Sequence, residues 1–461
     1  MELTAPIQDD PHAIVEMASL LADAHADTPV GAFFKVLSED DSGNCPVCYS
    51  ALPELNDGGA QNVRPSTSPF CTQGCRELAV CMCIMLDGAL QSKAHEVIML
   101  HLRDTLAQKA LNIMQKIADK SSQHQRPLRR LLINLATACN QLPQSLFLKG
   151  VRLLTGSGDR LVAGGFSDVH RGRYNHQDVA LKVLRIFSNT DEATRNDLKQ
   201  KLQYEALLWR NLSHRHVLPF FGIDNHIFHR SPCMVSPYMR NGNVRHKAEG
   251  LIKRGYSPDD LYYLHYLFKW MHEIAQGLAY LHREGIVHGD LRGPNILVDD
   301  NRSIRLADFG LSVLSEAQSR ENNSARGGNE RWMAPEQLNP ELFGTTSNRP
   351  TTASDVFSVG CVCIELYTAQ KPYIGLSDYQ VIDGVPKNRR PQRTNVVNNI
   401  ERTVPGELWR IAEKCWEHLP ENRPSIQWVV EATGELQVPD DWLQASSSAR
   451  SVASRSASLA S

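Results

Sequence analysis

Apolar residues return every three or four positions through residues 91–120. Ile98, Leu102, Leu106, Ala110, Ile113 and Ile117 line up on one face, and that period predicts a helix. Pro127 is expected to interrupt helix, "RPLRR" to form a basic turn, and residues 128–150 to form a short helix and a linker. From about residue 151 the pattern changes. Short β-rich runs come first, such as "DVALKVLRIF" (Asp178–Phe187), and long helical runs follow, such as "LYYLHYLFKWMHEIAQGLAYLH" (Leu261–His282). Strands in one block and helices in another predict an α+β domain over 151–438, a small β-rich lobe joined to a larger helical lobe. A mainly helical, Cys-containing region precedes it. The closing "SSSARSVASRSASLAS" is almost entirely Ser, Ala and Arg, so residues 439–461 are expected to bury no core and stay disordered.

Composition refines this division. A chain of 461 residues is too long for one ordinary core. Residues 1–90 hold 13 Asp+Glu against 3 Lys+Arg, a net charge of -10, while the whole chain carries only -2. An acidic segment 1–40 and a Cys-rich segment 41–90 are therefore expected to meet protein partners and not a nucleic-acid backbone. No run of eighteen apolar residues predicts a membrane span, and "MELTAPIQDDPH" lacks the features of a secretory signal. The expected location is intracellular and cytoplasmic, with the nucleus still open. Eleven scattered cysteines then read as thiols in a reducing compartment.

Several short stretches suggest phosphate and metal chemistry. In "VAGGFSDVHRG" (Val162–Gly172), Gly164 and Gly165 would let a backbone approach phosphates with no Cβ in the way. An ordinary turn explains that fragment better when it is taken alone. Lys182 lies inside the apolar strand pattern Val179–Val183, either snorkelling from an edge strand or offering a cation to phosphate oxygens. Glu205, on the helical pattern "LKQKLQYEALLWRNL", is either the carboxylate that holds that lysine or a solvated residue. In "GIVHGDLRGPNILVDD" (Gly285–Asp300), Asp290 can orient a hydroxyl or accept its proton, and Asn295 can ligate a divalent metal. Asp308, in "ADFGLS", can project a carboxylate at the same metal, and hard Mg²⁺ prefers such oxygen ligands.

In this order and spacing the set closely resembles a eukaryotic protein kinase. The likeness runs from roughly Val151 to Val438 through "GGFSDV", "VALK", Glu205, "HGDLRGPN", "DFG", "WMAPE", "DVFSVG" and "CWEHLPENRPS". The last motif resembles the tyrosine-kinase-like group, with a flavour similar to expanded fungal members. The resemblance implies a two-lobed kinase fold that uses ATP and Mg²⁺ on protein substrates. It implies that Lys182 binds the α- and β-phosphates and pairs with Glu205. Asp290 would be the catalytic base, with Arg292 near the γ-phosphate and Asn295 and Asp308 on magnesium. Val162, Gly164 and Gly165 would cover the nucleotide. Val169, Ala180 and Leu297 would sandwich the adenine, and "MVSPYM" would form the hinge, with Ser236 as gatekeeper before Tyr238 and Met239. Glu336 and Arg423 would form a buried structural pair, and Asp355 would brace the catalytic loop.

The sequence departs from the family pattern at Val162 and Ser167, where glycines are usual, and at Gly289, where an arginine is usual. Glycine cannot pair with a phosphate on the activation segment, so control through Ser312, Ser315, Ser319 or Ser324 is not expected, and the N-terminal part is the alternative source. Serine and threonine are the expected acceptors over tyrosine, although "GGNERWMAPE" lacks the threonine common in Ser/Thr kinases. The rival reading is a pseudokinase or nucleotide-binding scaffold; a third makes the cysteine module the functional part. In that module Cys45 and Cys48 form one knuckle and Cys71 and Cys75 a looser second, a donor set suited to a structural Zn²⁺ or to a group of reduced core thiols.

Overall fold

The computed structural model describes residues 93–120, 125–154, 160–163, 167–184, 205–228, 233–258, 260–309, 329–397 and 400–436. Cys45, Cys48, Cys71, Cys75, Gly164, Gly165, the four activation-segment serines and the C-terminal tail lie outside these residues. In chain order the elements are α1 (Lys93–Leu100), α2 (Asp104–Lys120), α3 (Gln125–Cys139), β1 (Arg152–Leu153), β2 (Arg160–Ala163), β3 (Ser167–Tyr174) and β4 (Gln177–Leu184). There follow α4 (residues 205–210), β5 (Gly222–Asp224), β6 (Cys233–Pro237), α5 (Val244–Lys253), α6 (Leu261–Arg283), β7 (Ile296–Val298) and β8 (Ile304–Leu306). The chain then runs through α7 (Pro335–Leu338), α8 (Thr352–Thr368), α9 (Asp378–Gly384), β9 (Thr394–Val397), β10 (Ile400–Thr403), α10 (Gly406–Cys415) and α11 (Ile426–Gly434).

These elements form two compact bodies. The first contains α1 to α3 together with residues 205–211 and the strand at 222–224. Ala110, Leu111, Ile113, Met114 and Ile117 of α2 are buried, and α2 packs on α3 through Leu128, Leu131, Leu132 and Leu135. Two sequence expectations change here. The helix expected over 91–120 is broken at 101–103, where Arg103 Nη1 donates to the carbonyls of Leu100 and Leu102. The break shifts the buried face, so Leu106 is 48% exposed and Ala107 is buried in its stead. "RPLRR" is not a turn but the start of α3: Pro127 sits in the first helical turn, where a missing N–H costs nothing, and Arg129 is buried.

The second body has an antiparallel sheet in the order β1-β3-β4-β6, with β2 also paired to β3. Asn175 and His176, at φ +45° and +63°, make the tight turn that joins β3 to β4. The helical part is built around α6 and α8. α8 reads as apolar nearly all round, "DVFSVGCVCIELYT", and is accordingly buried from Ser354 to Thr368, between α6, α5 and α10. α11 packs on α6, and the β7–β8 hairpin lies against α6 as well.

Candidate active site

The strand register gathers the first group of residues. Val169 on β3 stands opposite Lys182 on β4, which stands opposite Met234 on β6; Ala180 stands opposite Ser236. Partners in register share a sheet face, and residues two apart do too, so Val169, Ala180, Lys182 and Ser236 face the same side. Tyr238 N–H donates to the Asp178 carbonyl at 3.1 Å, which carries the hinge past the end of β6 to Met239. Asn243, just beyond, bridges to Leu297 of β7, so the hinge and the adenine-side leucine are neighbours. Val162 pairs through its backbone with Val169.

Lys182 reaches across to the end of β8, where its Nζ lies 2.6 Å from Asp308 Oδ1. Asp308 is held there at φ +57°, a left-handed turn before the buried Phe309. The hydrogen bond from Ala307 N–H to the Asn295 carbonyl, 2.9 Å, ties this turn to the catalytic loop. Glu205 stands on α4, in the N-terminal body.

The loop itself is fixed at both ends by α8. At its start, the buried Asp355 accepts from His288 N–H and Gly289 N–H, each at 2.8 Å, and from His282 Nε2 at 2.8 Å. Gly289 adopts φ +78°, a conformation that glycine enters without a Cβ penalty. At the other end, Glu365 accepts from Gly293 N–H and Trp332 Nε1, both at 2.8 Å. A Cβ on Gly293 would lie 2.5 Å from Glu365 Oε1, so glycine is needed for this approach. Burial pushes the Glu365 carboxyl up to about 7, with the Gly293 and Trp332 donors and Arg245 pulling the other way. His288 packs edge-on against Phe309, and burial lowers its pKa. Its neutral ring accepts the Asp290 N–H at Nδ1, 3.3 Å, which assigns its proton to Nε2.

Between these anchors the Asp290 carboxylate is aimed by three donors. Asn295 Nδ2 donates to Oδ2 at 2.7 Å, Arg292 Nε to the same oxygen at 3.2 Å, and Asn329 Nδ2 to Oδ1 at 2.9 Å. Oδ1 therefore has one lone pair engaged and another left for a hydroxyl. Asn295 Nδ2 also donates to the Asp290 carbonyl at 2.8 Å, which leaves its amide oxygen as an acceptor. That oxygen and the second carboxylate oxygen of Asp308 are hard donors that fit Mg²⁺, which keeps several waters and binds few protein groups. Among the described residues no cluster of three or more His, Cys, Asp or Glu is placed to hold a metal.

Residues 156–432 match the family described as protein tyrosine and serine/threonine kinase. The chain belongs to that family. Proteins from a plant and a yeast are similar over much of the same region. Serine/threonine-protein kinase STY46 of Arabidopsis thaliana is 31% identical over 283 residues, covering 60% of this chain and 44% of that protein. Serine/threonine/tyrosine-protein kinase HT1 of the same plant is 31% identical over 278 residues, covering 59% of this chain and 64% of that protein. Cell division control protein 7 of Schizosaccharomyces pombe is 34% identical over 236 residues, covering 51% and 20%. The chain thus spans less than two thirds of each relative's length. The two-lobed kinase fold and the tyrosine-kinase-like assignment both stand on these likenesses and on the β-sheet and helical parts of the second body.

Two residues of the kinase site escape sequence reasoning. Asn329 lies in the "GGNERWMAPE" segment, where the absence of threonine was the visible signal, but only the fold brings its amide to Asp290. Glu365 was marked by being the one carboxylate in "VFSVGCVCIELYT", a charge with no reason to sit in a buried helix except to hold something.

Proposed function

We propose that the chain transfers the γ-phosphoryl group of Mg-ATP to a protein hydroxyl, on Ser or Thr in preference to Tyr. The observation that carries this reading is the Asp290 carboxylate, held by Asn295, Arg292 and Asn329 beside the Lys182–Asp308 pair. Family membership supports it. Magnesium, when bound, would neutralise charge on the phosphates. Asp290 would orient the acceptor hydroxyl and take its hydrogen bond through the free lone pair of Oδ1. Lys182 would fix the α- and β-phosphates, and positioning with charge stabilisation would supply most of the rate. The test is radiolabel transfer from Mg-ATP to a generic protein substrate beside Asp290→Asn and Lys182→Met, with phosphoamino-acid analysis of the product. Loss of transfer in both variants, with label on Ser and Thr, is expected. Equal transfer by wild type and Asp290→Asn would refute the assignment.

We place the protein in the cytoplasm, acting on protein substrates, with residues 41–90 as a partner-binding module in which Cys45, Cys48, Cys71 and Cys75 hold a structural Zn²⁺. Among the described residues no helix is long and apolar enough to cross a membrane.

A further inference from the structure

A cleft of about 430 Å³ lies in the N-terminal body, between one face of α2 and the segment that follows α3. Asp104, Gln108, Lys109 and Asn112 line it from the helix, and Gln141 and Gln144 line it from the segment. The helix positions follow an i, i+4, i+5, i+8 pattern, so they form one stripe about 12 Å long. Hydrogen bonds fix how its amides are turned. Asn112 Oδ1 accepts the Gln144 N–H at 2.9 Å and Gln108 Nε2 at 3.1 Å. A backbone N–H only donates, so the atom that meets it is the amide oxygen, and Nδ2 is the other end of the group. Gln108 Nε2 also donates to the Leu142 carbonyl at 2.8 Å. Asn112 is 2% exposed, yet among the described residues its Nδ2 meets no acceptor. Gln141 Oε1 is enclosed as well and accepts nothing. Buried amides are normally paired, so a donor and an acceptor are left over at one cleft.

Two opposite charges lie on the same stripe. Lys109 is half-buried and Asp104 exposed, and among the described residues neither has an ion-pair partner. We propose that this cleft binds a small zwitterion of the amino-acid type. Lys109 and the Asn112 Nδ2 hydrogens suit its carboxylate, and Asp104 and Gln141 Oε1 suit its ammonium group. A lone anion would leave Asp104 and Gln141 unanswered, and a lone cation would leave Lys109 and Asn112. An apolar ligand would leave all four. The volume falls within the range of about 300–1,000 Å³ usual for small-ligand sites. The cleft lies ahead of the kinase match at 156–432, so the inference goes beyond the kinase reading and stands without it.

The experiment uses the full-length protein and screens the common amino acids one by one by thermal shift, then measures affinity by isothermal titration for those that raise the melting temperature. Asn112→Asp keeps the oxygen that Gln144 and Gln108 use and turns the unpaired donor into a second acceptor. Lys109→Met removes the half-buried cation and carries the test alone should Asn112→Asp not fold. At least one amino acid is expected to bind once per chain. Each variant should weaken it roughly tenfold or more, with the melting temperature of ligand-free Lys109→Met little changed. The deamino and decarboxy counterparts of that amino acid should bind more weakly by a similar factor, since each lacks one of the two charges. The proposal is overturned if none of the amino acids binds, if Lys109→Met binds as tightly as wild type, or if the singly charged counterparts bind as well as the zwitterion.

Discussion

The pair Glu336–Arg423 offers the sharpest test of how the helical part is held. Arg423 Nη1 and Nη2 meet Glu336 Oε1 and Oε2 at 2.6 and 2.7 Å, a two-pronged contact between buried groups. The remaining N–H groups donate to carbonyls: Nε to Glu417 at 2.9 Å, Nη1 to Ala353 at 3.1 Å and Nη2 to His418 at 3.2 Å. All five donors of the guanidinium are used, and its plane lies over the Phe357 ring. Glu336→Ala leaves a buried cation with carbonyls alone, at a cost of about 3–5 kcal/mol. Arg423→Met leaves a buried carboxylate and three carbonyls without donors, so it should cost at least as much. In Glu336→Met/Arg423→Met the charge problem disappears and only the carbonyls suffer, about 1 kcal/mol each. The double variant should therefore lose about 3 kcal/mol, far less than the sum of the singles. Urea unfolding of the four proteins, followed by tryptophan fluorescence, measures this. Singles that each cost under about 1 kcal/mol, or a strictly additive double, would refute the reasoning.

Other predictions follow from the same geometry. Asn329→Ala removes one of the donors that aim Asp290 and should lower kcat about tenfold, near 1.4 kcal/mol, with KM for ATP little changed; an unchanged kcat would remove Asn329 from the site. Glu365, raised by burial from its ordinary value of 4.5 to about 7, binds a proton more readily folded than unfolded. Its stabilising contribution is complete below about pH 4.5 and is lost as pH rises through about 7, a change on the order of 3 kcal/mol. Glu365→Gln should therefore gain stability relative to wild type across that window, and parallel stability–pH curves would contradict the assignment. Metal analysis of protein purified without chelator should find about one zinc per chain if the four N-terminal cysteines close a tetrahedral site, and well under one would discard it.

The chemistry of the site was legible because it depends on residue type at fixed spacing. Asp290 and Asn295 lie just ahead of β7 and Asp308 just after β8, strands whose apolar runs mark them, and the fold brings these stretches together through short pairings such as Ala307 to Asn295. The long helix read from Leu261 is present and ends within one residue of the expected point, at Arg283, because its apolar face is continuous. Where the reading failed, a local signal was overruled by its surroundings. Pro127 usually stops a helix, yet at the first turn it begins one. "RPLRR" was expected to be a basic turn, yet it lies in a helix and Arg129 is buried, with its acceptor supplied by a helix end elsewhere in the chain. No periodicity encodes a partner 82 residues away.

Partners distant in sequence also fix the shape of the catalytic loop. Asp355 and Glu365 are ten residues apart on α8, about 15 Å along a helix axis. One holds the N–H groups of His288 and Gly289, the other that of Gly293. The loop is thus pinned at both ends to a single buried helix, and Asp290 lies between the pins. A helix that is apolar nearly all round resists rotation, since turning it would expose Val356, Phe357, Val359 and Ile364 or bury more charge. The two carboxylates therefore act as fixed points. The loop can accept glycine at 289 and 293, residues that would otherwise loosen it, because its backbone donors are already committed to α8.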